Sequence, residues 1–260
     1  MKKAITIIAL VLIFLLGGNE VKSQYTMNYS ISGGLAIMNV IGKNPAALPF
    51  VNKEDLHNGN YIFTYGGSFQ ETQSGFDVNF RMPIDESDKI RIPIGLEYIF
   101  FRAKELDRVI TGDASHDFLT INKFDLMTLY TGLHYVIFKY PEYDINVYTG
   151  FELRATYLGF NTFHGTEIFK DGSTIEHDLN DPKKTDAFRI GTSIKLGGEG
   201  RLSKSQNVYA NWFFALTALN VIGTEKSRGE FLTPITALET RERTAFTYQI
   251  AFQVQYKFTE

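Results

Sequence analysis

The sequence predicts an all-β fold, a transmembrane antiparallel up-and-down β-barrel of eight strands, and three observations support this prediction. Residues 244–258 alternate without a break between apolar or aromatic side chains and small or polar ones. This period of two is typical of a strand with one apolar and one polar face. Seven earlier segments alternate in a similar way, and short and long connections take turns between them. A barrel that crosses a membrane separates its short turns from its long loops in this manner.

The N-terminus has the three parts of a secretory signal peptide. Two lysines precede an apolar run over residues 4–16, and residues 21–23 resemble a small-x-small cleavage site. We therefore predict a signal peptide over residues 1–23, cut near Ser23, followed by one barrel domain over residues 24–260. The apolar run is shorter than the roughly 20 residues that a transmembrane helix needs. An uncleaved anchor is the alternative interpretation.

Composition narrows the classes of protein and of site. The chain has no cysteine, which excludes disulfides, thiolate metal sites and cysteine nucleophiles. The formal net charge of -3 argues against a nucleic-acid-binding protein. The mean hydropathy of -0.12 suits strands that alternate and carry polar loops. Aromatic residues make up 14% of the chain, which fits the aromatic girdles at the two membrane interfaces of such barrels.

The eight predicted strands share outward apolar and inward small or polar side chains, and they cover residues 25–39, 61–81, 89–102, 123–138, 145–160, 187–196, 207–221 and 244–258. In the second, the outward residues change parity between Phe69 and Phe76, so we predict a β-bulge within residues 71–75. A hairpin at residues 73–75 is the competing interpretation, but it would give an odd number of strands. The third contains Pro93, whose missing N–H must cost one ladder hydrogen bond.

The fourth to eighth predicted strands alternate more regularly, and the fifth is nearly ideal. Each places large apolar side chains on the face expected to meet lipid, among them Met127, Tyr157, Ile194, Trp212 and Phe252. Long polar connections are predicted at residues 40–60, 103–122, 161–186 and 222–243, and short ones at residues 82–88, 139–144 and 197–206. We expect the short turns and both termini in the periplasm and the long loops outside.

The longest loop contains its own hairpin signal. Asp171 and Gly172 lie between two short runs, and this dipeptide favours a tight turn between antiparallel strands. We therefore expect residues 161–186 to project beyond the membrane as a β-hairpin.

The signal peptide, the alternating strands, the sorted connections and the aromatic final strand ending in Tyr256-Lys257-Phe258 resemble the small outer-membrane β-barrel superfamily, the OmpA/OmpX-like eight-stranded barrels. The resemblance covers the whole mature chain. It implies a porin-like barrel in the outer membrane of a Gram-negative-type envelope, inserted by the barrel-assembly machinery through its final strand. Two residues follow the last phenylalanine, where the family pattern ends on it. The final strand must pair with the first, because an unpaired edge in lipid would leave backbone groups unsatisfied.

The interior of an eight-stranded barrel is just wide enough to be filled by side chains. The predicted inward positions carry charges of both signs, and these must pair because a buried unpaired charge is costly. We therefore predict a polar network that plugs the lumen, formed by Asp77, Arg81, Arg91, Glu97, His134, Glu152, Arg154, Arg189 and Lys195. The glutamines of the final strand would offer neutral hydrogen-bonding partners to these charges.

These patterns favour a monomeric barrel with a structural or surface-interaction role through its external loops. The expected partners are outer-membrane lipid, the assembly machinery and an extracellular ligand or protein at the loops, with no nucleic acid. A narrow channel for small polar solutes or ions is the first alternative, with Glu152 and Arg154 as the pair to test. A lipid-modifying enzyme ranks behind it: His134 and Ser193 both face inward, but the sequence does not bring them together.

No catalytic, cofactor-binding or metal-binding residue is predicted. The longest loop carries carboxylates and histidines that could bind a divalent cation, but their spacing matches no EF-hand. Solvated loop side chains are the simpler interpretation of His164, Glu167, Asp171, Glu176, His177, Asp178 and Asp181.

Overall fold

The computed structural model describes residues 29–50, 66–84, 87–111, 114–203, 207–236 and 242–258. The predicted signal peptide and the first part of the second predicted strand lie outside these ranges. The described strands are β1 (Ser30–Val40), β2 (Gln73–Pro83), β3 (Ile90–Thr111), β4 (Ala114–Tyr140), β5 (Ile145–Ile168), β6 (Thr174–Asp178), β7 (Ala187–Arg201), β8 (Val208–Ile222) and β9 (Phe246–Lys257). Short 3-10 turns lie at Pro45–Ala47, Pro182–Lys184 and Lys226–Arg228. Among the described residues, no helix has the length and apolar character needed to cross a membrane.

Eight of these strands form a closed antiparallel ring in the order β1-β2-β3-β4-β5-β7-β8-β9, and β9 returns to β1. Leu35 of β1 lies opposite Phe252 of β9 in this closing ladder. Closure pairs the backbone groups of the first and last strands, which a sheet in lipid requires. The predicted eight-stranded barrel and the pairing of its last strand with its first are confirmed.

The apolar and polar residues that alternate in the sequence lie on the outer and inner faces of the barrel wall. On β9, Phe252 and Val254 are 66% and 60% exposed on the outside, whereas Ala251 and Gln255 are fully buried inside. The other barrel strands also present apolar outer surfaces, with Ile31, Val78, Leu96, Leu133, Phe151, Ile194 and Trp212 among the exposed side chains. A closed sheet with an apolar exterior and a polar interior is the arrangement that a lipid bilayer selects.

The second barrel strand begins at Gln73, and neither the predicted bulge nor the competing hairpin is present at this point of the chain. Residues 66–72 form an irregular segment before it. This segment carries Phe69, predicted to face lipid, into the mouth of the barrel, where its ring lies 5.1 Å from that of Phe101 and 4.7 Å from that of Phe124. The change of parity therefore marks the passage from loop to strand.

Pro93 lies within β3, where Arg81 of β2 is its cross-strand partner. The ladder between β3 and β4 has no pair at Pro93 or at Ile92 beside it, and it resumes on both sides in the same register. The interruption predicted from the missing proline N–H is therefore found on this side of the strand.

Strands β3 and β4 are much longer than a membrane crossing requires. The loop predicted at residues 103–122 is wrong: the β3–β4 ladder continues from Ala103 opposite Asn122 to Thr111 opposite Ala114. A strand of 22 residues is about twice the roughly 9–11 residues that cross a bilayer. A strand that has left the membrane no longer needs an apolar face. Residues 103–122 therefore carry polar side chains on both faces, and this pattern suggested a loop.

The predicted hairpin around Asp171 and Gly172 is confirmed. β5 continues to Ile168 and pairs with β6, and Gly172 adopts a φ of +82° in the turn between them. This positive φ is one that glycine accepts at little cost. We use the name extension sheet for residues 103–111, 114–122, 161–168 and 174–178, which form four adjacent antiparallel strands.

The connections define two ends of the barrel. At the short-turn end, residues 84–89, 141–144 and 202–207 join consecutive strands. The opposite, extended end carries the extension sheet and the long connections. The predicted turn at residues 197–206 is wrong in its first half, since β7 continues to Arg201.

Candidate functional site in the barrel lumen

All nine predicted lumen residues lie inside the barrel, with at most 3% of each residue exposed. They are Asp77, Arg81, Arg91, Glu97, His134, Glu152, Arg154, Arg189 and Lys195. The structure does not bring them into one cluster. They lie in successive groups from the short-turn end to the extended end, and the two end groups include residues that the sequence did not single out.

At the short-turn end, one carboxylate binds three cations. Glu199 of β7 lies 3.1 Å from Arg81, 2.9 Å from Arg91 and 2.9 Å from Lys257. Asp88 binds the guanidinium of Arg91 at 2.6 Å from its other side. This Glu199 cluster joins four strands that are not all neighbours, so it braces the barrel across its interior. Charge-assisted contacts of this kind are among the stronger polar interactions in proteins.

Glu199 is the main lumen residue that sequence reasoning missed, because it was placed in a turn. A signal for it was present. The inward parity of the sixth predicted strand runs from Arg189 through Ser193 and Lys195 and, continued by four residues, reaches Glu199. The glycines around it suggested a turn, but they pair normally with β5 and β8.

The middle of the lumen holds a second ion network. Glu152 lies 2.7 Å from Lys195, 3.0 Å from His134 and 3.4 Å from Arg154. Arg154 also binds Glu97, at 2.5 Å. The five side chains come from β3, β4, β5 and β7, and each is at most 1% exposed. Each charge therefore has a partner of opposite sign at a depth where an unpaired charge would be costly.

The glutamines of β9 complete this network with neutral donors. Gln249 donates a hydrogen bond to Glu97, and Gln253 donates one to Asp77. The hydroxyl of Tyr130 donates to Asp77 as well, at 2.8 Å. The hydrogen bonds to the Asp77 carboxylate thus come from uncharged groups, while Glu97 binds both a cation and an amide. This explains why the inner face of β9 is rich in glutamine although it is buried.

Three rings inside the barrel lie across glycines on the neighbouring strand. The cross-strand pairs are Tyr130 with Gly95, His134 with Gly150 and Tyr148 with Gly197. A Cβ atom at Gly95 would lie 2.1 Å from the Tyr130 ring, and one at Gly150 would lie 2.2 Å from the His134 ring. Because glycine has no side chain, the rings have room to lie flat against the wall of the narrow barrel interior.

Near the extended end, the long connection of residues 223–245 is tied to the barrel wall. Arg189 of β7 donates two hydrogen bonds of 2.8 Å to the two carboxylate oxygens of Glu242. Asn220 donates another to Glu242 at 2.8 Å. Both ends of the Arg189–Glu242 pair are buried. A fork-to-fork pair of this kind fixes orientation as well as distance.

Beyond the charged groups, a cluster of buried apolar side chains lies at the extended end of the barrel. Phe69 packs edge-on against Phe101 and Phe124. Phe231 and Leu232, from the long connection before β9, belong to the same cluster and are each 1% exposed. We call these five residues the apolar plug. A hydrophobic constriction is a barrier to ions because water is not stable beside it.

The two residues of the enzyme hypothesis have different hydrogen-bond partners. Ser193 accepts a hydrogen bond from Thr217 at 2.9 Å and donates to the carbonyl of Leu216 at 3.2 Å. His134 contacts Glu152 instead, so Ser193 and His134 are not a nucleophile and its base in this arrangement.

The candidate loop ligands are dispersed among local contacts. Glu167 lies 3.1 Å from His177, Asp171 binds Ser173, and Asp178 binds Asn180. His164 and Glu176 are exposed on the extension sheet, and Asp181 accepts a hydrogen bond from the backbone N–H of Lys183. In the part of the chain that the structure describes, no three histidine or carboxylate side chains are arranged to hold a metal ion.

Lys184, in the connection before β7, is a buried lysine that holds the long connection before β9. Its ammonium donates to the carbonyl of Glu230 at 2.5 Å and to the hydroxyl of Thr233 at 3.3 Å. Burial, followed by the nearby Arg228 cation, lowers the pKa of Lys184 from 10.5 to about 7, while Glu242, Asp181 and Glu230 oppose this change.

The segment of residues 226–236, which Lys184 holds against the barrel, is therefore expected to detach more readily as the pH falls. An opened connection returns Lys184 to its ordinary pKa of 10.5, so protonation favours the open form between pH 10.5 and about 7, with no further change below about 7. Hydrogen exchange of this segment, corrected for the intrinsic rate, should show less protection at pH 7 than at pH 9. Lys184→Met should remove the difference, and equal wild-type protection at both pH values would contradict this account.

No family model and no curated protein matches the chain. Similar solved structures include Ail of Yersinia pestis in complex with the heparin analogue sucrose octasulfate, at 12% identity and a TM-score of 0.41, covering 89% of this chain and 99% of that one. Neisserial surface protein A has 10% identity and a TM-score of 0.42, covering 88% and 97%. OprG of Pseudomonas aeruginosa has 12% identity and a TM-score of 0.40, covering 93% and 100%. The barrel assignment for this chain rests on its own strand order and closure.

Proposed function

We propose that the protein is a structural outer-membrane barrel with a closed lumen, which holds the extension sheet outside the cell as a surface for interaction. The observation that carries this proposal is the pairing of the buried lumen cations. Arg81, Arg91, Arg154, Arg189, Lys195 and Lys257 each lie within 3.1 Å of a carboxylate. The apolar plug then covers this network at the extended end.

The long strands support the interaction role. On the inner face of the extension sheet, Val109, Phe118 and Phe163 form a buried apolar cluster with Phe50 of the connection after β1. The rings of Phe50 and Phe163 lie 4.3 Å apart in an edge-to-face arrangement. A sheet with a small core of its own can keep a defined shape beyond the membrane, which suits a binding surface better than an unstructured loop does.

The orientation follows from the connections, with the short-turn end in the periplasm. The final strand is the expected contact of the barrel-assembly machinery, and the mature barrel is expected to be monomeric. A lipid-modifying activity has less support, since Ser193 and His134 have separate partners. An unchanged lipid A mass in cells with and without the protein is the expected result.

The closed lumen predicts an electrically silent barrel. The refolded wild-type chain should give no steady ion current in a planar bilayer, because the lumen cations are paired with carboxylates and the mouth is apolar. Insertion of folded protein is checked by its gel migration, which differs between unheated and boiled samples. Glu142→Gln, an exposed change in the turn before β5, should be equally silent. A steady wild-type current that falls on Arg154→Gln would contradict the closed lumen and favour the narrow channel.

A further inference from the structure

The outer surface of β3 and β4 changes from apolar to cationic where the strands leave the membrane belt. On β3, Phe100 ends an unbroken run of six outward apolar residues, and Arg102 and Lys104 follow it on the same face, before Leu106. Lys123 of β4 is the cross-strand partner of Arg102. We call Arg102, Lys104 and Lys123 the basic row; all three are exposed.

Like charges directly opposite one another destabilise an antiparallel pair. Arg102 is partly compensated, since it lies 2.7 Å from Asp125 and donates hydrogen bonds to the carbonyls of Phe101 and Phe124. Neither lysine ammonium has an ion pair or a hydrogen bond to any residue within the described ranges. The basic row therefore carries an excess of positive charge that the protein itself does not neutralise.

The position of the basic row indicates which kind of group neutralises its positive charge. The Arg102 guanidinium lies 5.4 Å from the Phe100 ring, so the charges begin directly above lipid-facing aromatic surface. Long cationic side chains at this level of a membrane protein reach the headgroup region. On another wall of the barrel, the corresponding end of β1 and β9 is uncharged, with Asn39 opposite Tyr248. The apolar surface therefore ends in positive charge on β3 and β4 but not on the paired strands β1 and β9.

We propose that the basic row binds the phosphate of a membrane lipid headgroup in the outward leaflet. This inference rests on the orientation given under the proposed function. The guanidinium of Arg102 already points at Asp125 and two carbonyls, so the two lysines supply the phosphate contacts as point charges. Two uncompensated charges match a phosphomonoester, which carries a charge of about -1.5 to -2. A lipid with a terminal phosphomonoester should therefore bind more tightly than a phosphodiester lipid.

Native mass spectrometry of the full chain, refolded in neutral detergent, tests this assignment. The probes are phosphatidic acid, a phosphomonoester, and phosphatidylglycerol, a phosphodiester. Lys104→Gln with Lys123→Gln should weaken phosphatidic acid binding roughly ten- to thirtyfold. The matched control, Lys170→Gln with Lys183→Gln, removes the same charge from exposed connection residues and should leave binding unchanged.

Equal binding by the two double variants would overturn the proposal, as would equal affinity of the wild type for both lipids. Displacement of phosphatidic acid by the same concentration of inorganic phosphate would also overturn it, because the site would then recognise free phosphate. The proposed function fails separately. If the wild-type barrel conducts ions but the Lys104→Gln, Lys123→Gln variant binds lipid more weakly, only the closed lumen is refuted. If the wild-type barrel is silent and this variant binds lipid as the wild type does, only the role of the basic row is refuted.

Discussion

Replacing Glu199 with glutamine is expected to destabilise the barrel by about 3–5 kcal/mol, the usual cost of removing one partner from a buried ion pair. Arg81, Arg91 and Lys257 all lie within 3.1 Å of this carboxylate, which is itself fully inside the barrel. Glutamine keeps the shape of the side chain but leaves the three cations facing one another at low dielectric. Asp88 can compensate Arg91 alone.

The measurement is the fraction of folded protein in detergent micelles across a urea series, read from the migration of unheated samples on a gel. Glu142→Gln is the control, since it changes the same charge on an exposed turn and should shift stability by less than about 0.5 kcal/mol. Glu199→Asp keeps the charge and should fall between the two. A Glu199→Gln barrel with the wild-type urea midpoint would contradict the role of the cluster.

Glu152→Gln is expected to have the second largest effect, again about 3–5 kcal/mol. Lys195 has Glu152 as its ion-pair partner at 2.7 Å, and its ammonium otherwise lies over aromatic rings, 3.9 Å from the centre of Phe213. Arg154 loses less because it keeps Glu97. Neutralising Glu152 therefore removes the ion-pair partner of a buried ammonium.

A double-mutant cycle separates this pair from simple loss of packing. Lys195→Met should cost less than Glu152→Gln, because Glu152 keeps Arg154 and His134. The combination of the two should cost less than the sum of the single changes, since both members of the pair are then neutral. Additive costs in the same urea series would show that Glu152 and Lys195 are not coupled.

The barrel itself could be predicted because a wall with lipid on one side and a filled lumen on the other imposes a period of two. The neighbours Phe252 and Gln253 on β9 obey that rule, since Phe252 faces lipid and Gln253 is only 5% exposed. The same rule failed for residues 103–111, where β3 has left the belt and lipid no longer selects its outer face. It also failed for Phe69, whose burial depends on a loop that turns back into the barrel.

The inward positions of the lumen residues follow from parity, but their partners do not. Arg189 pairs with Glu242, which lies in a connection 53 positions away, and no periodic signal marks that carboxylate. Glu199 was hidden by its glycine neighbours. Nor could the sequence indicate that Ser193 bonds to Thr217 while His134 bonds to Glu152. Such pairings depend on the register and shear of the closed barrel.

Spin-label scanning of β9 tests the central claim most directly. Because the chain has no cysteine, single cysteines at residues 250–254 carry the only labels. In lipid vesicles, labels at residues 250, 252 and 254 should be accessible to oxygen, which dissolves in lipid, and protected from a water-soluble nickel chelate. Labels at residues 251 and 253 should be protected from both. Access of the nickel chelate to residues 250, 252 and 254 would contradict a lipid-facing barrel wall.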